Sequence, residues 1–195
     1  MNNKTQTGFT LYELLTTLLI VGVIMSYGVP NMRDFRANSR MTAAANDLHS
    51  TFYMARSEAA RAKTNVTICA SADSMAPNPS CGGEFEAGWV VFVDLNGDIV
   101  VDNGEAILRR APATSGDIVI NTTGPDDYFS FASTGLGRGN VTGTPPVGVM
   151  VLCDSRGNAK PAAGGKSAAR VLVVTPLGRA TVLSEMAQVD FHGGC

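Results

Sequence analysis

Gly8-Phe9-Thr10-Leu11-Tyr12-Glu13-Leu14-Leu15 opens an apolar run that continues to Val29 and Pro30. Seven residues precede it, all polar after Met1, with Lys4 the only charged side chain among them. Glu13 is the only charge inside the run, and from Leu14 to Val29 only Thr16, Thr17, Ser26 and Tyr27 carry a polar side-chain atom. A secretory signal peptide ends in a small-residue cleavage site after its apolar core. Here the small residue, Gly8, lies before that core. A cut after Gly8 would keep the apolar helix and make Phe9 the new N-terminus.

The stretch resembles the start of the type IV prepilins and of the pseudopilins of type II secretion. Their motif is Gly, Phe, then Thr-Leu-x-Glu and a hydrophobic helix. Gly8-Phe9-Thr10-Leu11-Tyr12-Glu13 fits it at every position, with Tyr12 at the variable one. The resemblance implies that a prepilin peptidase cuts between Gly8 and Phe9 and methylates the amine of Phe9. Glu13 then acquires a physical reason. A carboxylate in a membrane segment costs on the order of 3 kcal/mol, so it calls for a partner. The Phe9 amine of a neighbouring subunit would supply one and would reward staggered assembly.

The chain has 195 residues, about one domain beyond the N-terminal helix. Its 21 Gly and 9 Pro suggest many turns. The net charge of −2 is unevenly spread: residues 1–69 carry +3, residues 70–128 carry −8 and residues 129–195 carry +3. Such asymmetry marks a partner surface or simply a solvated one. The four cysteines, Cys69, Cys81, Cys153 and Cys195, are an even count that in an exported chain points to disulfides. Of three possible pairings, Cys69–Cys81 closes a short Pro/Gly-rich loop and Cys153–Cys195 pins the C-terminus to a strand. The spacings do not suit zinc, which favours close Cys-x-x-Cys pairs.

Beyond Pro30, which lacks a donor and is expected to kink a helix, the pattern turns amphipathic. Met41, Leu48, Phe52, Ala55 and Ala59 recur at helical spacing among Arg33, Arg36, Arg40, Arg56, Glu58 and Arg61. One long helix over Phe9–Ala62 is expected, half in a membrane and half on a globular domain. The division is a leader over 1–8, a transmembrane and assembly helix over 9–29, an amphipathic half over 30–63 and a β-rich domain over 64–195. Strand signals lie at Val66–Ala70, Trp89–Asp94, Ala106–Arg110, Asp117–Asn121, Tyr128–Ala132, Val147–Cys153, Arg170–Thr175 and Ala180–Leu183. The fold class is α+β: a pilin-like long helix against an antiparallel sheet or small sandwich. Pro161–Ser167 reads as a mobile loop.

Two stretches narrow the class. Met54-Ala55-Arg56-Ser57-Glu58-Ala59, and the hairpin from Gly88-Trp89-Val90-Val91-Phe92-Val93-Asp94 through Glu105, resemble the FimT/FimU/GspH family of minor pilins and minor pseudopilins. The resemblance implies a minor type IV pilin, present in few copies, that helps to start or cap a pilus. The alternatives are a minor pseudopilin of type II secretion and a DNA-binding minor pilin serving natural transformation. It further implies a single-pass inner-membrane protein with a periplasmic domain, carried into the filament after processing. Its partners would be other pilins or pseudopilins and the prepilin peptidase.

Two ligand readings compete with bland ones. Asp94, Asn96, Asp98, Asp102 and Glu105 stand at positions 1, 3, 5, 9 and 12 of a calcium-loop spacing. Position 6, which should be Gly, is Ile99, and the flanks are strands rather than helices. The alternative is a hairpin turned by Asn96-Gly97 with its acids facing water. The resemblance also brings DNA into view, because some FimT-like minor pilins bind it through a Gly-Arg-x-Arg near the C-terminus. Gly178-Arg179-Ala180 matches, but Thr181 replaces the second Arg. Arg170 and Lys166 would join Arg179 as phosphate contacts, with Arg138, Arg156 and Lys160 near in sequence. No enzymatic motif gathers around His49 or His192, and the cysteines are expected to be disulfide-bonded. Gly165-Lys166-Ser167 lacks the earlier Gly of a phosphate loop.

Overall fold

The computed structural model describes residues 8–123, 127–138, 148–159 and 165–195. They fall into two compact units, one ending at Asn38 and one spanning Ser39–Cys195. α1 (Leu11–Ala62) contributes to both. Its first part is long and apolar enough to cross a membrane, and Leu14, Leu18, Ile20 and Ile24 are exposed. Pro30 does not end it: the helix continues through Asn31, whose side-chain amide donates to the Tyr27 carbonyl at 2.9 Å.

In the second unit α1 buries Met41, Ala45, Leu48, Phe52, Ala55 and Ala59. Those alternating steps of four and three place one face on the core. Each fully buried side chain the size of Leu48 or Phe52 contributes about 2–3 kcal/mol. The helix ends at Ala62, and Lys63 takes the left-handed conformation (φ 53°) that lets a chain leave a helix.

The strands are β1 (Val66–Ala70), β2 (Trp89–Val93), β3 (Ile107–Ala111), β4 (Val119–Thr123), β5 (Tyr128–Phe131), β6 (Gly137–Arg138), β7 (Val149–Cys153), β8 (Lys166–Val174) and β9 (Ala180–Glu185). They form two antiparallel sheets, ordered β3-β2-β1-β5-β6 and β4-β7-β8-β9. β1 is central and buried on both faces. Val66, Ile68 and Ala70 join the core that α1 shares with both sheets, including Ile120, Met150, Leu152 and Leu172. Phe52, Phe129 and Phe131 meet there with ring centroids 4.8–6.4 Å apart. On the opposite face of β1, Cys69 packs with Val90, Phe92 and Tyr128.

The buried Trp89 donates its indole N–H to Thr51 Oγ1 at 3.3 Å, so the one tryptophan is tied to the helix by a polar contact as well as by packing. A short helix, α2 (Met186–Phe191), lies against the outer face of the second sheet, where Val189 packs with Val151, Ala169 and Val171.

Two expectations change and two short elements are added. β8 begins at Lys166 rather than Arg170, so Lys166 and Ser167 belong to a strand and not to a loop. Pairing with β9 across a bulge holds this small-residue stretch extended, a tertiary effect that Ala168-Ala169 does not announce. α2 and the two-residue β6 were too short to read from periodicity. Lys160, residues 161–164 and Val147 lie outside the described residues.

Candidate functional site

Thr10 and Glu13 close a capping box at the start of α1. The Glu13 carboxylate accepts the Thr10 backbone N–H and hydroxyl, both at 2.9 Å, and Thr10 Oγ1 accepts the Glu13 N–H at 3.3 Å. The carboxylate therefore has donors within its own chain. The sequence reading offered it only an amine from a neighbour, although the Thr-x-x-Glu spacing was there to be read. Gly8 and Phe9 are exposed just before this cap.

The acidic stretch is a loop, residues 94–106, rather than a two-residue hairpin turn. Its acids do not all face water. Asp94 is fully buried, accepting the Thr67 hydroxyl at 2.7 Å and the Gly97 N–H at 2.6 Å. Asn96 Nδ2 donates to Asp98 (2.8 Å) and Asp102 (3.1 Å). Asp98 accepts the Val100 N–H at 2.9 Å. Glu105 accepts the N–H groups of Leu95 (2.7 Å) and Asp102 (3.1 Å). Ile99 takes a left-handed φ of 69° where a calcium loop places Gly. These carboxylates are bound to the loop itself, and among the described residues no three His, Cys, Asp or Glu side chains are grouped to hold a metal. Arg138, which the sequence offered only as a nearby cation, backs the loop by donating to the Gly97 carbonyl at 3.4 Å.

The nucleic-acid candidates are spread along β8 and the turn that follows it. Gly178 and Arg179 form the turn joining β8 to β9, closed by Gly178 N–H to the Thr175 carbonyl at 2.8 Å. Gly178 is left-handed (φ 74°), and its carbonyl accepts from Arg56 Nη1 at 3.2 Å. Lys166 stands at the other end of β8, opposite Glu185, about 20 Å from the turn when measured along the paired strand β9. Arg170 is half-buried between them and donates to carbonyls of its own strand. Arg179 is exposed; Thr181 sits opposite Val173 in β9.

Cys69 is bonded to Cys81 and Cys153 to Cys195. The second bond holds the chain end beside Asn158, which accepts the Cys195 N–H at 3.0 Å and donates to Asp190 at 2.7 Å. His49 meets Tyr53 at a tilt and His192 meets Phe191 edge to face, with centroids 4.8 and 5.1 Å apart.

A family model described as type II transport protein GspH matches residues 44–178, from the buried half of α1 to the β8–β9 turn. The chain belongs to the GspH family. The matched residues span most of the helix face, the first sheet, β4, β7 and β8 of the second, and the acidic loop. The GspH-family chain also has the fold of the type IV minor pilin FimU of Pseudomonas aeruginosa (strain PAO1): one crystal form matches with TM-score 0.52 at 21% identity, covering 76% of this chain and 92% of that one. A second crystal form of FimU gives TM-score 0.47 at 22% identity, over 73% and 91%. No curated protein matches the sequence. The family is one of pilin-like subunits that assemble with other pilins or pseudopilins, and its apolar N-terminal helix fits membrane anchoring.

Proposed function

We propose that this chain is a minor type IV pilin that takes part in pilus assembly or initiation. It is held in the inner membrane by residues 9–29, cut between Gly8 and Phe9, methylated on Phe9, and built into the filament with its globular unit in the periplasm or at the tip. The observation that carries this reading is the motif Gly8-Phe9-Thr10-Leu11-Tyr12-Glu13 set directly on an apolar helix that continues into a GspH-family domain. Glu13 exchanges its local cap for the Phe9 amine of a neighbour as the subunit enters the filament. Likeness of fold to FimU supports a pilus role.

The second reading is a minor pseudopilin of type II secretion, favoured by the description of the matching family model. Deletion of the gene separates the two. Loss of surface pili, restored by the intact gene, supports the first. Normal piliation with retention of secreted enzymes in the periplasm supports the second and ends the first.

A further inference from the structure

Asp154 stands in a nest of arginines. β4 and β7 pair Val119 with Cys153, so Asp154 emerges next to the approach of residues 116–118 to β4. Arg156 holds it through Nε, 3.1 Å from both carboxylate oxygens, through Nη2 at 2.6 Å and through its backbone N–H at 3.0 Å. Arg170 comes from the neighbouring strand, at the register position opposite Leu152. The β8 bulge turns the carbonyls of Ser167 (2.6 Å) and Ala169 (2.8 Å) onto its Nη1, which fixes the guanidinium. Its Nε and Nη2 have no acceptor among the described residues. Arg40 completes the group from α1: its guanidinium lies so close over Gly116 that a Cβ there would come within 2.8 Å of Nη1.

Among the described residues the charges do not balance. Three guanidinium groups face Asp154, with the exposed Asp117 on the same approach. Burial and the like charge of Arg156 push the Arg170 guanidinium pKa down, only partly offset by Asp154. Burial works to raise the Asp154 carboxyl, but the hydrogen bonds of Arg156 and the charge of Arg40 hold it below its ordinary value. Guanidinium forks prefer planar or tetrahedral oxyanions that accept two bonds at once.

We propose that Arg40, Arg156 and Arg170 form a binding site for a phosphate group, taken from the headgroup of an anionic phospholipid or from inorganic phosphate. The site is stapled on one side by Asp154 and fixed on the other by the β8 bulge. A lipid source fits the sequence. Arg33, Arg36 and Arg40 follow the apolar run at helical spacing i, i+3, i+7, whereas Lys4 is the only basic side chain before it. Basic residues beside a span favour the cytoplasmic side. On the topology proposed above, these arginines stand on the exported side against that bias, and a bound anion compensates it.

The test uses the full-length chain in neutral maltoside micelles, titrated calorimetrically at constant ionic strength. The probes are sodium phosphate, dihexanoyl phosphatidylglycerol and, as control, dihexanoyl phosphatidylcholine. Saturable binding is expected, weakened about tenfold or more by Arg40→Gln and by Arg156→Gln and unchanged by Arg179→Gln. Asp154→Asn removes the competing carboxylate and tightens binding. A purely structural cluster would give no such gain. Phosphatidylglycerol binding well above phosphate assigns the headgroup as the source; equal binding assigns the free anion. The proposal is overturned by no saturation up to about 10 mM of either probe, weaker than millimolar affinity. It is equally overturned if Arg179→Gln weakens binding as much as Arg40→Gln, or if a DNA oligonucleotide binds where both small probes fail.

Discussion

Gly178 sets its bare Cα against the backbone of Gly135: a Cβ would stand 2.7 Å from that carbonyl oxygen and 2.8 Å from the Phe131 ring. The glycine of the Gly178-Arg179 pair is therefore demanded by two touching turns and by its left-handed φ of 74°. A structural need is thus met by the same residue that a nucleic-acid motif would place there. Gly178→Ala is expected to destabilise the globular unit by about 2–4 kcal/mol, read from denaturant unfolding. A loss below about 0.5 kcal/mol would show that the turns shift apart freely.

Thr10→Ala and Glu13→Ala separate the cap from assembly. Thr10→Ala removes one side of the capping box, worth about 1 kcal/mol at the helix start, and is expected to leave incorporation into filaments near normal. Glu13→Ala should stay in the membrane and be poorly incorporated. Immunoblots of sheared filaments and membranes give the comparison. Equal defects in the two variants would make the cap, rather than an intersubunit pair, the essential contact.

Phe52 is fully buried between Phe129 and Phe131, at 5.3 and 6.4 Å. Truncation to Ala should cost about 3–5 kcal/mol. Retention of the wild-type midpoint in urea would mean that α1 is not seated on the sheets as described.

Lys63 is an exposed residue in a left-handed conformation at the end of α1. Lys63→Gly removes the steric penalty and should stabilise by about 1 kcal/mol, a rise of a few degrees in Tm for a domain of this size. A fall in Tm would show that the lysine side chain has a compensating role.

The pH dependence of Asp154 has a defined sign. Its carboxyl titrates below the ordinary value in the folded chain. The resulting stability is present above the unfolded pKa of about 3.9 and is lost as the pH falls through the lower folded value. Wild type and Asp154→Asn should therefore differ most above about pH 4 and converge in strong acid. A gap that widens on acidification contradicts the Arg156 pairing.

The parts legible in the sequence were those with long-range periodicity or a sharp motif. The helix face Met41–Ala59, the strand at Trp89–Val93 and the N-terminal motif all had one or the other. The Arg170 bulge had neither, because Ala168-Ala169 is compatible with any local structure and only its pairing with β9 makes it a strand. The acidic loop misled in a different way. Alternate acids at ligand spacing are also what a loop needs to satisfy its own N–H groups, as Asp94, Asp98 and Glu105 do here. The arginine nest joins residues 40, 156 and 170 across three elements, beyond the reach of any spacing rule.

The seating of α1 has a mechanical meaning. Six side chains from Met41 to Ala59 enter the core along about 27 Å of helix axis. A pull along that axis loads all six in shear at the same time, and none can slip without the others. The tie from Trp89 to Thr51 crosses the same seam. A subunit built this way resists tension as a splined shaft does, and yields more readily to a force that peels the helix from one end.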